Sequence, residues 1–230
     1  MRKLGLIGGI GPEATVAYYR QIIHGVGERV GAETLPPLII ESLSAFQVFS
    51  LCRESRLDEL TAYLGDAVDA LAAGGAQMAA LTGNTPYVVF DRVAQRSPIP
   101  LISGITATAQ AVAARSARTV GLLGTAFTMT NGIFARAFEP HGIRIVTPHE
   151  EEIALIQKRI ETELEHGIVT DSTRAELVGI IAEMAARDGI DSVILGCTEL
   201  PLILDDESSP VPCFDTVRIH VAALVDAILA

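Results

Sequence analysis

The 230-residue chain contains no tryptophan, and aromatic residues make up only 5% of it. Side-chain platforms on which bases or sugar rings could stack are therefore scarce. It has three cysteines, Cys52, Cys197 and Cys213. An odd, widely spaced set builds no disulfide framework and fits a reducing compartment. Neither a Cys-x-x-Cys nor a His-x-x-x-His pair occurs, so no metal site is expected. Positive charge is in deficit: 17 basic residues against 28 acidic give a net charge of −11. Such a chain repels phosphate backbones, which argues against a nucleic-acid partner. No apolar run approaches the roughly 18 residues that span a bilayer. Met1-Arg2-Lys3 and the apolar run Leu4 to Gly11 superficially resemble a signal peptide. That run is short, glycine-rich and without a small-residue cleavage site. These readings predict a cytoplasmic protein without a membrane partner.

Apolar residues are plentiful, at 49%, and they fall into two alternating patterns. Short, almost unbroken apolar runs at 3–7, 38–41, 77–81, 101–103, 119–123, 144–146, 192–195 and 211–214 read as strands buried on both faces. Segments 13–30, 57–73, 106–115, 151–166, 174–187 and 216–229 carry apolar residues at helical spacing. Strand-helix alternation of this kind predicts an α/β protein with parallel, doubly wound sheets.

The chain also repeats itself. Leu4-Gly5-Leu6-Ile7-Gly8-Gly9 matches Val120-Gly121-Leu122-Leu123-Gly124-Thr125, and Leu81-Thr82-Gly83-Asn84-Thr85-Pro86 matches Leu195-Gly196-Cys197-Thr198-Glu199-Leu200. The offsets, 116 from Gly5 to Gly121 and 114 from Gly83 to Cys197, are nearly equal. Two similar lobes are expected, residues 1–102 with 214–230 and residues 103–213, with an active site in the cleft between them.

In open α/β sheets ligands gather beyond the carboxyl ends of the strands. Asn84, Thr85, Thr125 and Thr198 stand there with polar side chains suited to a carboxylate. Thr85-Pro86 has the chemistry of a helix cap followed by a first helical residue. Taken alone, Asn84 and Thr85 are better read as residues that only cap the helix. Cys197 follows a buried strand and precedes a helical turn, where a thiol pKa is expected to fall; Glu199 opposes that by like charge. Cys52 and Cys213 read as packing residues, and His24 and His220 as half-buried residues on helices. A competing pattern is Gly9-x-Gly11-x-x-Ala14 after the first strand, with Glu41 ending the next, which would suit a dinucleotide. Pro12 inside that turn removes a donor, and the distance to Glu41 is longer than usual.

The segments around Gly8-Gly9, Gly83-Asn84-Thr85, Gly124-Thr125, Gly196-Cys197-Thr198-Glu199 and Phe214-Asp215-Thr216 together resemble the aspartate/glutamate racemase family. The resemblance implies a cofactor-independent isomerase, often a homodimer, acting on a small amino-acid or carboxylate substrate. In that family two cysteines on opposite sides of the substrate α-carbon exchange its proton. Cys197 matches the second of them. The first belongs where this chain has Gly83, which has no proton to give. Adjacent Thr82, a held water, or Cys197 working alone are then the candidates for the chemistry. A single cysteine opposite glycine is similar to arylmalonate decarboxylase in the wider superfamily. A one-cysteine decarboxylase or isomerase, and a non-catalytic binder, are the alternatives. The lysine that family members often carry near Glu165-His166-Gly167 is absent. On this reading Gly83→Cys restores a missing base.

Overall fold

The computed structural model describes residues 1–230. They form two compact units, Met1–Gly104 with Val217–Ala230, and Ile105–Thr216.

The first unit holds β1 (Leu4–Gly8), α1 (Pro12–Val30), β2 (Leu38–Ser42), α2 (Ala45–Arg53), α3 (Leu57–Ala73), β3 (Met78–Leu81) and α4 (Phe90–Arg96). Its sheet is parallel in the order β2-β1-β3. β1 and β3 are buried along their whole length, which explains their unbroken apolar sequence. The stripe Tyr18, Ile22 and Val26 of α1 packs with Leu4, Leu6, Met78 and Ala80. α3 covers the first unit from its own apolar stripe, Leu60, Leu64, Val68 and Leu71. A side chain at Gly5 would lie 3.0 Å from Leu71, so that glycine lets α3 and β1 approach closely. The expected strand at 101–103 shrinks to one bridge between Ala79 and Leu101. Ala79 N donates to Pro100 O and Ile102 N to Ala79 O, and helix begins at Gly104 before more pairs can form.

The second unit continues with α5 (Gly104–Ala114), β4 (Thr119–Leu123), α6 (Ala126–Thr130), α7 (Ile133–Phe138), β5 (Arg144–Val146), α8 (Glu150–Thr162), α9 (Asp171–Asp188), β6 (Ser192–Leu195) and β7 (Cys213–Asp215). Its parallel sheet has the order β5-β4-β6-β7. α9 shows how the sequence fixes such helices. Thr170 caps it by accepting from Thr173 N at 3.1 Å, and Gly189 ends it in the left-handed conformation at φ 67°. α10 (Thr216–Leu229) returns to the first unit, where Val221, Leu224, Val225 and Ile228 complete the α1 core.

The two sheets share one plan. In each, the first strand of the unit lies between the second and the third. Ile7 is paired with Leu81, and Leu123 with Leu195. Gly83 is therefore two residues past the register in the first unit and Cys197 two residues past it in the second. The parallel α/β architecture read from the sequence is the one observed.

Candidate functional site

The loop after β6 is built around close backbone contacts. Gly196 N donates to Leu123 O at 2.7 Å, and Gly124 lies against the Gly196 carbonyl carbon. This tight packing ends the strand and presents Cys197, half-buried, at its carboxyl end. The Cys197 thiol donates to Glu199 Oε2 at 2.8 Å. Burial pushes the thiol well above its ordinary pKa, and the neighbouring Glu199 carboxylate adds to the rise. Glu165, in a short 3-10 turn at Leu164–His166, also has a raised pKa, first from burial and then from the charge of Glu199. The expectation of a lowered thiol pKa is thus reversed. The 3-10 turn after Cys197 spans only Leu200–Leu202 and starts beyond Glu199, so it offers the sulfur little dipole. Like charge and burial prevail.

Thr198 sits half-buried in the turn between the thiol and its carboxylate. Thr125 caps α6: its hydroxyl accepts from Thr128 N at 3.2 Å and lies 3.0 Å from the Thr128 hydroxyl. The Ala126 amide is taken by Gln157 Oε1 at 2.7 Å. Two of the donors at the start of α6, Ala126 N and Thr128 N, are accordingly engaged within the protein.

In the first unit, Thr82 is fully buried. Its hydroxyl donates to Ile7 O at 3.2 Å and lies 3.1 Å from the Thr15 hydroxyl, which accepts from Gly9 N at 2.9 Å. Thr82 thus ties β3 to the β1–α1 turn, with its hydroxyl proton given to a backbone carbonyl. Asn84 and Thr85 are both half-buried. The cap falls on Asn84, one residue before the expected Thr85, and it opens a five-residue 3-10 helix with no side-chain cap. Proline at the second position and the short run to Phe90 favour the tighter helix here.

Gly83 is not an empty place. A Cβ built on it would lie 2.2 Å from the Ile10 carbonyl oxygen. The space that resemblance assigns to a first cysteine is taken by the backbone of the β1–α1 turn. That turn is also closed from the other side. Leu43 N donates to Gly8 O, and Leu43 O lies 2.1 Å from where a Gly9 side chain would begin. The Gly9 amide that the dinucleotide reading of Gly9, Gly11 and Glu41 would need for a phosphate is itself bonded to the Thr15 hydroxyl.

The remaining candidates resolve simply. Cys52 is buried, and Cys213 is half-buried with its sulfur 3.5 Å from Asp205 O. No group of three or more histidine, cysteine or carboxylate side chains is placed to hold a metal ion. His24 is exposed and pairs with Glu28 at 3.1 Å. His220 is fully buried, unlike the half-buried residue expected. A carbonyl can only accept, so Nε2–H donates to Ile102 O at 3.0 Å and Nδ1 accepts from Tyr18 at 2.9 Å. Sequence reasoning missed Glu165 as a neighbour of the thiol and treated Glu199 only as a repulsive charge. The spacing of two between Cys197 and Glu199 was the available signal.

Two parallel α/β units of one strand plan, with a carboxylate-paired thiol ending a central strand, define a duplicated α/β class. Over residues 7–224 the chain matches the Asp/Glu/Hydantoin racemase family, and it belongs to that family. The broad specificity amino-acid racemase RacX of Bacillus subtilis is 22% identical, over 99% of this chain and 98% of its own. The glutamate racemase of Corynebacterium kroppenstedtii is 30% identical over 64% of this chain; the match spans only 50% of that enzyme's length. Among solved structures, an aspartate racemase homologue from Pyrococcus horikoshii superimposes with a TM-score of 0.89 at 34% identity, covering 100% of both chains. A Yersinia pestis protein provisionally assigned as an Asp/Glu racemase gives a TM-score of 0.93 at 31% identity, again over 100% of both. Unliganded arylmalonate decarboxylase, at 14% identity and a TM-score of 0.56, covers 99% of this chain and 93% of its own and shares the fold. No helix is long and apolar enough to cross a membrane.

Proposed function

We propose that this chain is a cofactor-independent amino-acid racemase, transferring a proton at the α-carbon of a small amino-acid substrate. Cys197 is the acid/base and Glu199 its proton partner. The observation that carries the reading is the 2.8 Å contact between the Cys197 sulfur and Glu199, in a chain of the racemase family. The α-proton moves to sulfur while the thiol proton moves to the Glu199 carboxylate. The electron pair of the broken C–H bond stays on the α-carbon as a carbanion, which polar groups around the substrate carboxylate stabilise until a water on the opposite face returns a proton and completes the inversion. Asn84, Thr85 and Thr198 are the residues assigned to that carboxylate. Thr125 is a weaker candidate because its hydroxyl already caps α6.

A second reading draws on Gly83. With the Ile10 carbonyl filling the space beside it, position 83 supplies no acid or base, and the thiol donates a proton from one face only. That is the chemistry of a one-cysteine decarboxylase or isomerase.

The test is α-hydrogen exchange in D2O with single enantiomers of a panel of amino acids, followed by NMR and chiral chromatography. Exchange with inversion is expected of the racemase, and exchange with retention of the one-sided enzyme. Cys197→Ala should reduce exchange by at least about 100-fold, the lower range for a lost general acid/base. Wild-type turnover in that variant would remove Cys197 from the mechanism. Binding without any exchange would identify a non-catalytic binder.

A further inference from the structure

Glu165 stands in the 3-10 turn Leu164–His166 that follows α8. Leu164 is buried under the turn, and the amides of His166 and Gly167 donate to Glu163 O and Leu164 O. The carboxylates of this segment have different fates. Glu163 turns inward, where Arg159 and the Thr173 hydroxyl donate to it. Glu161 accepts from Gln157 Nε2 at 2.6 Å. Glu165 is exposed, and no hydrogen bond, lysine or arginine engages it. The charges it meets are the carboxylates of Glu199 and Glu161, with the His166 imidazole opposing them. Glu199 in turn holds the Cys197 thiol at 2.8 Å.

Two carboxylates thus bear on one thiol, and both act on its proton. Like charges held close destabilise each other. A cation brought to them relieves that repulsion, and a further anion adds to it. The α-ammonium is common to every amino acid, so it selects none of them. Glu199 touches the sulfur, whereas Glu165 acts on it by charge alone and so stands further from the reacting carbon. That is where the end of a long substrate side chain lies. We propose that Glu165, backed by Glu199, selects amino acids whose side chain ends in an ammonium or guanidinium and rejects those ending in a carboxylate. The inference rests on the racemase reading above and names the substrate class of that same site.

The test compares lysine, its uncharged analogue norleucine, and glutamate, by kcat/KM for α-hydrogen exchange in D2O and by calorimetric binding up to about 10 mM, above the usual range of KM. The wild-type order should be lysine, norleucine, glutamate in both readouts. Raising salt from about 0.05 to 0.5 M should shrink the preference for lysine. Glu165→Gln should lower the lysine-to-norleucine ratio about fivefold, the value of an exposed ion pair near its upper range. Glu165→Lys should lower the lysine-to-glutamate ratio further, by at least about tenfold, because repulsion replaces attraction. A wild type that prefers glutamate, or that treats lysine and norleucine alike, overturns the proposal. So does an equal loss for all three amino acids in Glu165→Gln, which would assign the carboxylate to the α-ammonium or to the fold. If Glu165→Lys fails to fold, Glu165→Gln decides. If no amino acid exchanges its α-hydrogen, the racemase reading fails by itself, and the binding order still decides the charge selection: lysine bound tightest upholds it, and equal or undetectable binding overturns it.

Discussion

Gly83→Cys is the substitution on which the sequence and the structure part company. From the sequence it restores a lost base and should create racemisation. From the structure it places a Cβ 2.2 Å from the Ile10 carbonyl oxygen. To reach even a 3.0 Å contact, one of the two backbones must move by about 0.8 Å. The obstacle is main chain, so no rotamer change relieves it. Neither segment moves cheaply. Thr82 beside Gly83 is bonded to Ile7 O, Gly9 N is bonded to Thr15, and Leu43 N closes on Gly8 O. Overpacking of this kind costs about 1–3 kcal/mol. For a chain of this size that lowers the melting temperature by roughly 2–12 °C. Gly83→Ala carries the same Cβ without the sulfur and separates the two effects. The expected outcome is that both variants melt lower by a similar amount, and that Gly83→Cys gains no inversion in the D2O exchange assay. A Gly83→Cys protein that melts with the wild type and racemises faster would refute the reasoning, because the β1–α1 turn would then be yielding freely.

The buried groups carry two more expected outcomes. Burial is the first cause of the raised Cys197 thiol and Glu199→Gln removes the charge that adds to it, so iodoacetamide alkylation of Cys197 should reach its half-maximal rate at a lower pH than in the wild type, while exchange activity falls; an unshifted alkylation profile would separate the two residues. Burial holds His220 near pKa 4 against 6.5 for an ordinary histidine, with its bond to Ile102 O opposing the shift, so the neutral ring stabilises the fold fully above about pH 6.5 and that stability is lost as pH falls toward 4. The loss should approach about 3 kcal/mol in urea titrations, at about 1.4 kcal/mol per pH unit, and an NMR titration placing His220 near 6.5 would contradict it.

The fold was legible where burial leaves a one-dimensional trace. β1, β3, β4 and β6 are apolar runs because sheet neighbours and helices cover them, and α3 shows its stripe because one face alone is packed. α2, α4, α6 and α7 left no such trace. They are five to nine residues long, and α2 turns Phe46 outward at 88% exposure, which defeats any argument from apolar periodicity. At the site, residue identities were readable and directions were not. Gly83 was visible as a missing side chain, but the carbonyl that fills its space belongs to Ile10, 73 positions away, and only tertiary structure brings them together. Glu199 was visible two residues from the thiol. Whether it turned toward the sulfur depended on the Gly196 turn and on how late the next 3-10 helix begins.

The resting Cys197–Glu199 pair sets what each partner can do first. A thiol held well above its ordinary pKa is protonated at neutral pH, and it already points its proton at a carboxylate. As an acid it is ready, since the proton it would give to a carbanion is in place. As a base it must first hand that proton to Glu199, against the field of a second carboxylate at Glu165, whose own pKa is raised by burial and by Glu199. Proton donation is therefore the easier half of the reaction for this unit. In the proposed mechanism position 83 supplies no acid or base to compensate. In the racemisation proposed above the abstraction is then expected to be the slow step, and a substrate whose carbanion arises without abstraction, by loss of carbon dioxide, would meet the site in the form it already holds. Deuterium from D2O should in that case appear on one face of the product only.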